Sequence, residues 1–314
     1  MTDETDAIVD DEAEDPAWLD PFPTETSACS CVANDGPHPR LGELVQLAPG
    51  SGVVCRWRSA RLHPDEQAGL DAAACVVADG IMRWRCRGAP ASYLLWRNAV
   101  NGGTALSGGD RSRVVPFVSP LFGLDGAPKP EEHLRGWIAE YVWFRLVSET
   151  PGPPERSLRR VEGPSFHATE PGGDGLAVWR QNGEDGLRFC LWEIKNYSGT
   201  GSISPTVRGA YEQLGIRALE YLAKLTSIEA ASDDAEVAPL YAALVDLWVD
   251  KDPRCGVGVA VSTHHERVPS RCFSTMGKHF PGFASDWQRE GLVTGLGEFA
   301  EFCRDVRSRV WKAL

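Results

Sequence analysis

Two apolar segments constrain this chain more than anything else in it: Gly175 to Trp179 and Leu187 to Lys195, joined by Asn182-Gly183-Glu184-Asp185-Gly186. The linking run is rich in turn formers and reads as the tip of a β-hairpin. Both arms are apolar at odd and even positions alike, through Leu176, Ala177, Val178 and Trp179 on one and Phe189, Cys190, Leu191, Trp192 and Ile194 on the other. Side chains of a strand alternate between faces, so such arms belong to a sheet covered on both sides.

The flanking sequence supplies the cover. Leu134, Trp137, Ile138, Tyr141, Val142 and Phe144 recur at helical spacing, with Glu131 and Glu132 in the first turn where acids suit the helix dipole. This predicts a helix over 131–148. Further helices are expected over about 205–225, 238–249 and 295–313, with strands over 158–161 and 256–262. Helices alternating with strands indicate an α/β fold with a mixed central sheet. Upstream, Cys55 to Arg58 and Met82 to Arg87 alternate with period two, which predicts a β-rich region over 25–124. Pro128 and Pro130 mark its boundary with an α/β domain over 125–314.

The net charge of −12 at first argues against a polyanionic partner. Nine acids and no Lys or Arg fall within residues 1–20, however, leaving 35 acids against 32 bases in the remainder. The acidity belongs to a tail, 1–24, whose composition predicts disorder, and the body can carry a local basic groove. Residues 1–20 lack the apolar core of a secretory signal, and no apolar stretch is long enough for a membrane span, so a cytoplasmic protein with no membrane contact is expected. Its nine cysteines should then be mostly reduced. Cys29, Cys31 and His38 lack the regular fourth ligand of a zinc site.

The hairpin also carries the chemistry. Asp174 and Glu193 are nearly equidistant from the turn, so they should face each other across the antiparallel pair, with Lys195 on the same face two residues on. Opposed carboxylates at the end of an apolar hairpin repel each other unless a divalent cation lies between them, and oxygen ligands suit Mg²⁺ or Mn²⁺. Such an ion activates water and stabilises charge on a phosphoryl group, with Lys195 orienting the water or stabilising the developing charge. The bland alternative is a surface hairpin with a cross-strand salt bridge.

Gly173-Asp174-Gly175 followed by Trp192-Glu193-Ile194-Lys195 resembles the D…ExK core of the PD-(D/E)XK nuclease superfamily, over roughly residues 131–262. The resemblance implies a restriction-endonuclease-like core within 125–314 and a metal-dependent nuclease acting on nucleic acid, DNA in the first instance. It also implies that Asp174, Glu193 and the Ile194 carbonyl hold the metal, that Lys195 is the catalytic lysine, and that Glu140 is the acid of the first helix. Gly173 stands where the family's proline is expected. Gln213 matches an auxiliary glutamine of some members, although the tyrosine usual four positions later is Arg217. A looser similarity to nuclease subunits of prokaryotic anti-phage defence systems implies a helicase or another defence subunit as partner. The competing expectation is a non-catalytic nucleic-acid-binding or assembly subunit that keeps the fold.

Arg156, Arg159 and Arg160, just upstream of the hairpin, are candidate phosphate contacts, and Asn196 is a candidate substrate contact that a strand-exit turn explains equally well. Arg83, Arg85 and Arg87 would form a stripe on one strand face, either following a phosphate backbone or guarding a sheet edge, the second being favoured. His264 and His265 read as polar surface.

Overall fold

The computed structural model describes residues 40–50, 54–62, 66–150, 152–166, 174–183, 186–199, 201–229, 234–264 and 271–314. The acidic tail and the Cys29, Cys31 and His38 group lie outside these residues. In chain order the elements are α1 (Leu41–Leu44), β1 (Val45–Pro49), β2 (Arg56–Leu62), α2 (Glu66–Arg85), α3 (Pro90–Val100), α4 (Gly108–Phe122), β3 (Gly123–Leu124) and β4 (Ala127–Pro128). They continue with α5 (Glu131–Glu149), β5 (Arg156–Val161), β6 (Gly175–Gln181), β7 (Leu187–Tyr197), α6 (Ser204–Glu229) and α7 (Val237–Val249). The chain closes with β8 (Cys255–Thr263), α8 (Met276–His279), β9 (Arg289–Gly295) and α9 (Phe299–Trp311).

Seven strands form one sheet in the order β1-β2-β9-β8-β7-β6-β5. The pairs β2–β9, β9–β8 and β8–β7 are parallel, and β1–β2, β7–β6 and β6–β5 are antiparallel. The sheet is therefore mixed. Strand alternation splits the core in two. Cys190, Trp192 and Ile194 of β7, with Ala177 and Trp179 of β6, pack against α2, α3, α4, α5 and α9. Phe189 and Leu191, with Leu176, Val178, Val257, Val259 and Val261, face α6 and α7. This is the two-sided cover that the uniformly apolar arms require. Cys55, Cys86, Cys190, Cys255, Cys272 and Cys303 are buried free thiols, and Cys75 is in a disulfide.

The expected β-rich region is corrected by the structure. After β1 and β2 the chain forms three helices before residue 123, and Arg83 and Arg85 lie on α2, with Arg87 in the turn that follows it. Period-two alternation over six residues misled because the true period needs a longer window. Ala73, Ala74, Val77, Ala78 and Ile81 form a buried stripe at helical spacing. Alanine is also the strongest helix former. β1 and β2 join the same sheet as the hairpin, through β9.

The closing helix begins at Phe299 rather than Gly295, because β9 precedes it. Gly291 obscures that strand in the sequence. In the sheet it is required: a Cβ there would stand 2.5 Å from the Phe273 ring and 2.8 Å from Trp57.

Candidate active site

The β6–β7 ladder ends at Gly175 opposite Trp192, and the next step along it sets Asp174 opposite Glu193. A hydrogen bond locks this register: the Ile194 amide donates to Asp174 Oδ2 at 2.7 Å. Helix α5 seats on the same hairpin end through Trp143, whose ring lies 5.6 Å from that of Trp192. Gly175 makes room for it, since a Cβ there would fall 2.3 Å from the Trp143 ring. Glu140 lies one turn earlier on α5, and its carboxyl is coupled electrostatically to Asp174 and Glu193. From the opposite face, α6 brings Gln213 and Tyr221.

These groups form a continuous polar chain in an apolar setting. Glu193 is fully buried. Its Oε1 accepts from Lys195 Nζ at 2.5 Å, and the same ammonium donates to Gln213 Oε1 at 3.0 Å. Gln213 Nε2 in turn donates to the Tyr221 hydroxyl at 3.3 Å. Beyond it, the exposed Arg217 guanidinium is bonded to that hydroxyl, which holds the arginine above its ordinary value. Among the described residues no other group donates a hydrogen bond to Glu193 Oε2, and the Glu193 and Asp174 carboxyls are hydrogen-bonded to each other.

The titration of the carboxyls follows from burial and mutual repulsion. Burial first, then the Asp174 charge, push Glu193 up to about 8, with Lys195 pulling the other way. Asp174 is raised by burial, against Lys195, the Ile194 amide and a hydrogen bond from Glu193, which favour its ionised form. Burial and then both neighbouring carboxyls hold Glu140 well above the usual range. Burial disfavours charge on Lys195, but Glu193 and Asp174 outweigh it and raise the ammonium. An acidic site left to itself thus retains protons at neutral pH.

A divalent cation would relieve the same repulsion. Among the described residues no group of three or more His, Cys, Asp or Glu side chains is arranged to hold a metal. Mg²⁺, however, is usually bound by one or two carboxylates and keeps several waters. Two opposed carboxyls, one with a buried oxygen that no other described residue bonds, fit that donor set.

The remaining sequence candidates lie elsewhere. Strand alternation directs Asn196 to the side of Trp192 and Ile194, away from Lys195. Arg159 bonds Glu236 at 2.8 Å, and Arg180 converges on the same carboxylate. Arg160 bonds Glu162 at 2.8 Å and stands over the Tyr241 ring. Arg156 is held by both carboxylate oxygens of Glu290. His264 Nε2 lies 3.3 Å from Glu298 Oε1, and His265 lies outside the described residues. Sequence reasoning missed Tyr221, having sought a tyrosine four positions after Gln213. The signal was the helical ridge i, i+4, i+8, on which Gln213, Arg217 and Tyr221 stand in a row.

Neither a scan against protein-family models nor a comparison with curated proteins finds a match for this chain.

Proposed function

We propose that the chain is a metal-dependent nuclease that hydrolyses phosphodiester bonds, with DNA as its substrate, on a core of the restriction-endonuclease type. The observation that carries the reading is the buried Asp174–Glu193 pair, with one oxygen of Glu193 lacking a donor among the described residues and Lys195 bonded to the other. Burying two facing acids is costly, and a purely structural hairpin gains nothing from them.

Asp174, Glu193 and the Ile194 carbonyl would hold Mg²⁺ or Mn²⁺, which supplies an activated water and polarises the phosphoryl group. Lys195, held by Glu193 and Gln213, presents a fixed positive charge beside the carboxyls, positioned to orient the attacking water and stabilise charge that develops on the phosphate. Gln213 and Tyr221 position Lys195. Glu140 adds a carboxyl to the edge of the set and keeps it proton-hungry when no cation is bound.

The lack of a three-side-chain metal cluster among the described residues favours one second reading, a nucleic-acid-binding or assembly subunit without catalysis. Calorimetric titration with Mn²⁺ separates the two. The nuclease reading expects binding by the wild type that is lost in Glu193→Ala. No binding by the wild type would favour the assembly subunit.

A further inference from the structure

Gly209, Gln213, Arg217 and Tyr221 stand one turn apart along a single ridge of α6. Two of them are tied to the acidic pair. Lys195 Nζ donates to Gln213 Oε1 at 3.0 Å, and Gln213 Nε2 donates to the Tyr221 hydroxyl at 3.3 Å. Glu193 and Lys195 continue the alternation of Phe189 and Leu191, on the face of β7 that α6 covers. Arg217, between Gln213 and Tyr221, therefore stands on the site's side of α6. Its guanidinium bonds the Tyr221 hydroxyl, and after Tyr221 and Glu220 the Glu193 carboxyl also favours its charge.

Arg217 differs from the arginines just upstream of the hairpin. Arg156 is held by Glu290, Arg159 by Glu236 and Arg160 by Glu162. Arg217 is exposed, and among the described residues no acid forms an ion pair with it; Glu220 and Glu193 act on it only from further off. One hydroxyl engages a planar group with five N–H donors, and that fork matches the paired oxygens of a phosphate. Gln213 and Arg217 are one turn apart, about 6 Å along the axis. Successive linkages of one nucleic-acid strand rise about 3.4 Å. A phosphate on Arg217 is thus a neighbour of the one that meets Lys195. In the other direction the ridge is bare, since a Cβ on Gly209 would meet nothing within 4 Å.

We propose that Arg217 grips the backbone phosphate next to the one being cut and so sets the register of the nucleic acid over Lys195. The inference rests on the nuclease reading and adds a substrate contact to its site. A contact to an unreacting phosphate is made alike in the ground state and the transition state, so it acts on KM and leaves kcat nearly unchanged. Because it neutralises one phosphate charge, it also adds one counterion to the salt dependence of binding.

Fluorescence anisotropy over a series of salt concentrations tests this with a labelled hairpin duplex and an oligothymidine, in chelator so that neither is cut. Arg217→Ala should weaken binding about tenfold at low salt. The slope of log affinity against log salt should become less negative by about 0.9 on the duplex or about 0.7 on the single strand. Arg217→Lys keeps the charge and should keep the wild-type slope, as should Tyr221→Phe, which removes no charge. With Mg²⁺ present, Arg217→Ala should raise KM about tenfold and change kcat by less than about threefold. Because the side chain is exposed, these Arg217 substitutions leave the core undisturbed. An unchanged slope in Arg217→Ala, or a loss confined to kcat, overturns the phosphate contact while leaving the nuclease reading standing. A wild type that binds neither ligand removes both.

Discussion

Glu193 is fully buried, negative when ionised, and opposite a second acid. Its carboxyl is raised from 4.5 to about 8, so the folded chain holds a proton that the unfolded chain releases between those values. Stability from the protonated pair is complete below pH 4.5 and is lost as pH rises through about 8. Thermal melts of the metal-free protein should therefore show Tm falling across that window. Glu193→Gln should flatten the fall, and added Mn²⁺ should raise Tm most at the alkaline end. A profile that is flat in the wild type would contradict the burial argument. Gln213 acts through Lys195, so Gln213→Ala should lower kcat about 10- to 100-fold with little change in KM, the usual cost of losing a group that orients another. Tyr221→Phe should give a smaller loss in the same direction, since the hydroxyl acts on Lys195 only through Gln213, across a bond of 3.3 Å.

At the scale of elements, the site depends on helices seated against strands by glycine. Gly175→Ala should destabilise the fold by about 1–3 kcal/mol in denaturant titration, because Trp143 has no space to yield into, and it should also displace α5 and Glu140. A substitution that is neutral in both stability and activity would show that α5 is not held in this way. The hairpin, α5, α6, α7 and β8 were legible because each carries a long, unbroken apolar pattern that local propensity supports. The opposition of Asp174 and Glu193 was legible for the same reason, since counting from the turn fixes an antiparallel register. β9 was hidden by Gly291, which tertiary crowding demands and local propensity disfavours. α2 was misread where Met82-Arg83-Trp84-Arg85 imitates a strand over too short a window. Arg159 and Arg160 looked like phosphate contacts from sequence proximity, but their acids, Glu236 and Glu162, were visible only in three dimensions.

For the whole molecule, charge is the property that matters. The chain carries a net charge of −12, concentrated in the first 20 residues, whereas the body is close to neutral. A tail of that composition competes with nucleic acid for any basic groove. Deleting residues 1–20 should raise cleavage at low salt, with the gain shrinking as ionic strength rises and screening takes over. Unchanged rates at every salt concentration would dispose of the competition. Among the described residues no helix is long and apolar enough to cross a membrane. All of this depends on the hairpin site being catalytic. The direct measurement is digestion of supercoiled plasmid, linear duplex and single-stranded DNA with Mg²⁺ or Mn²⁺, comparing wild type with Asp174→Ala and Lys195→Ala. The account predicts cleavage by the wild type that falls by about 10²- to 10³-fold or more in both variants. Cleavage that survives both substitutions, or a wild type that binds no metal and cuts none of the three, would contradict it.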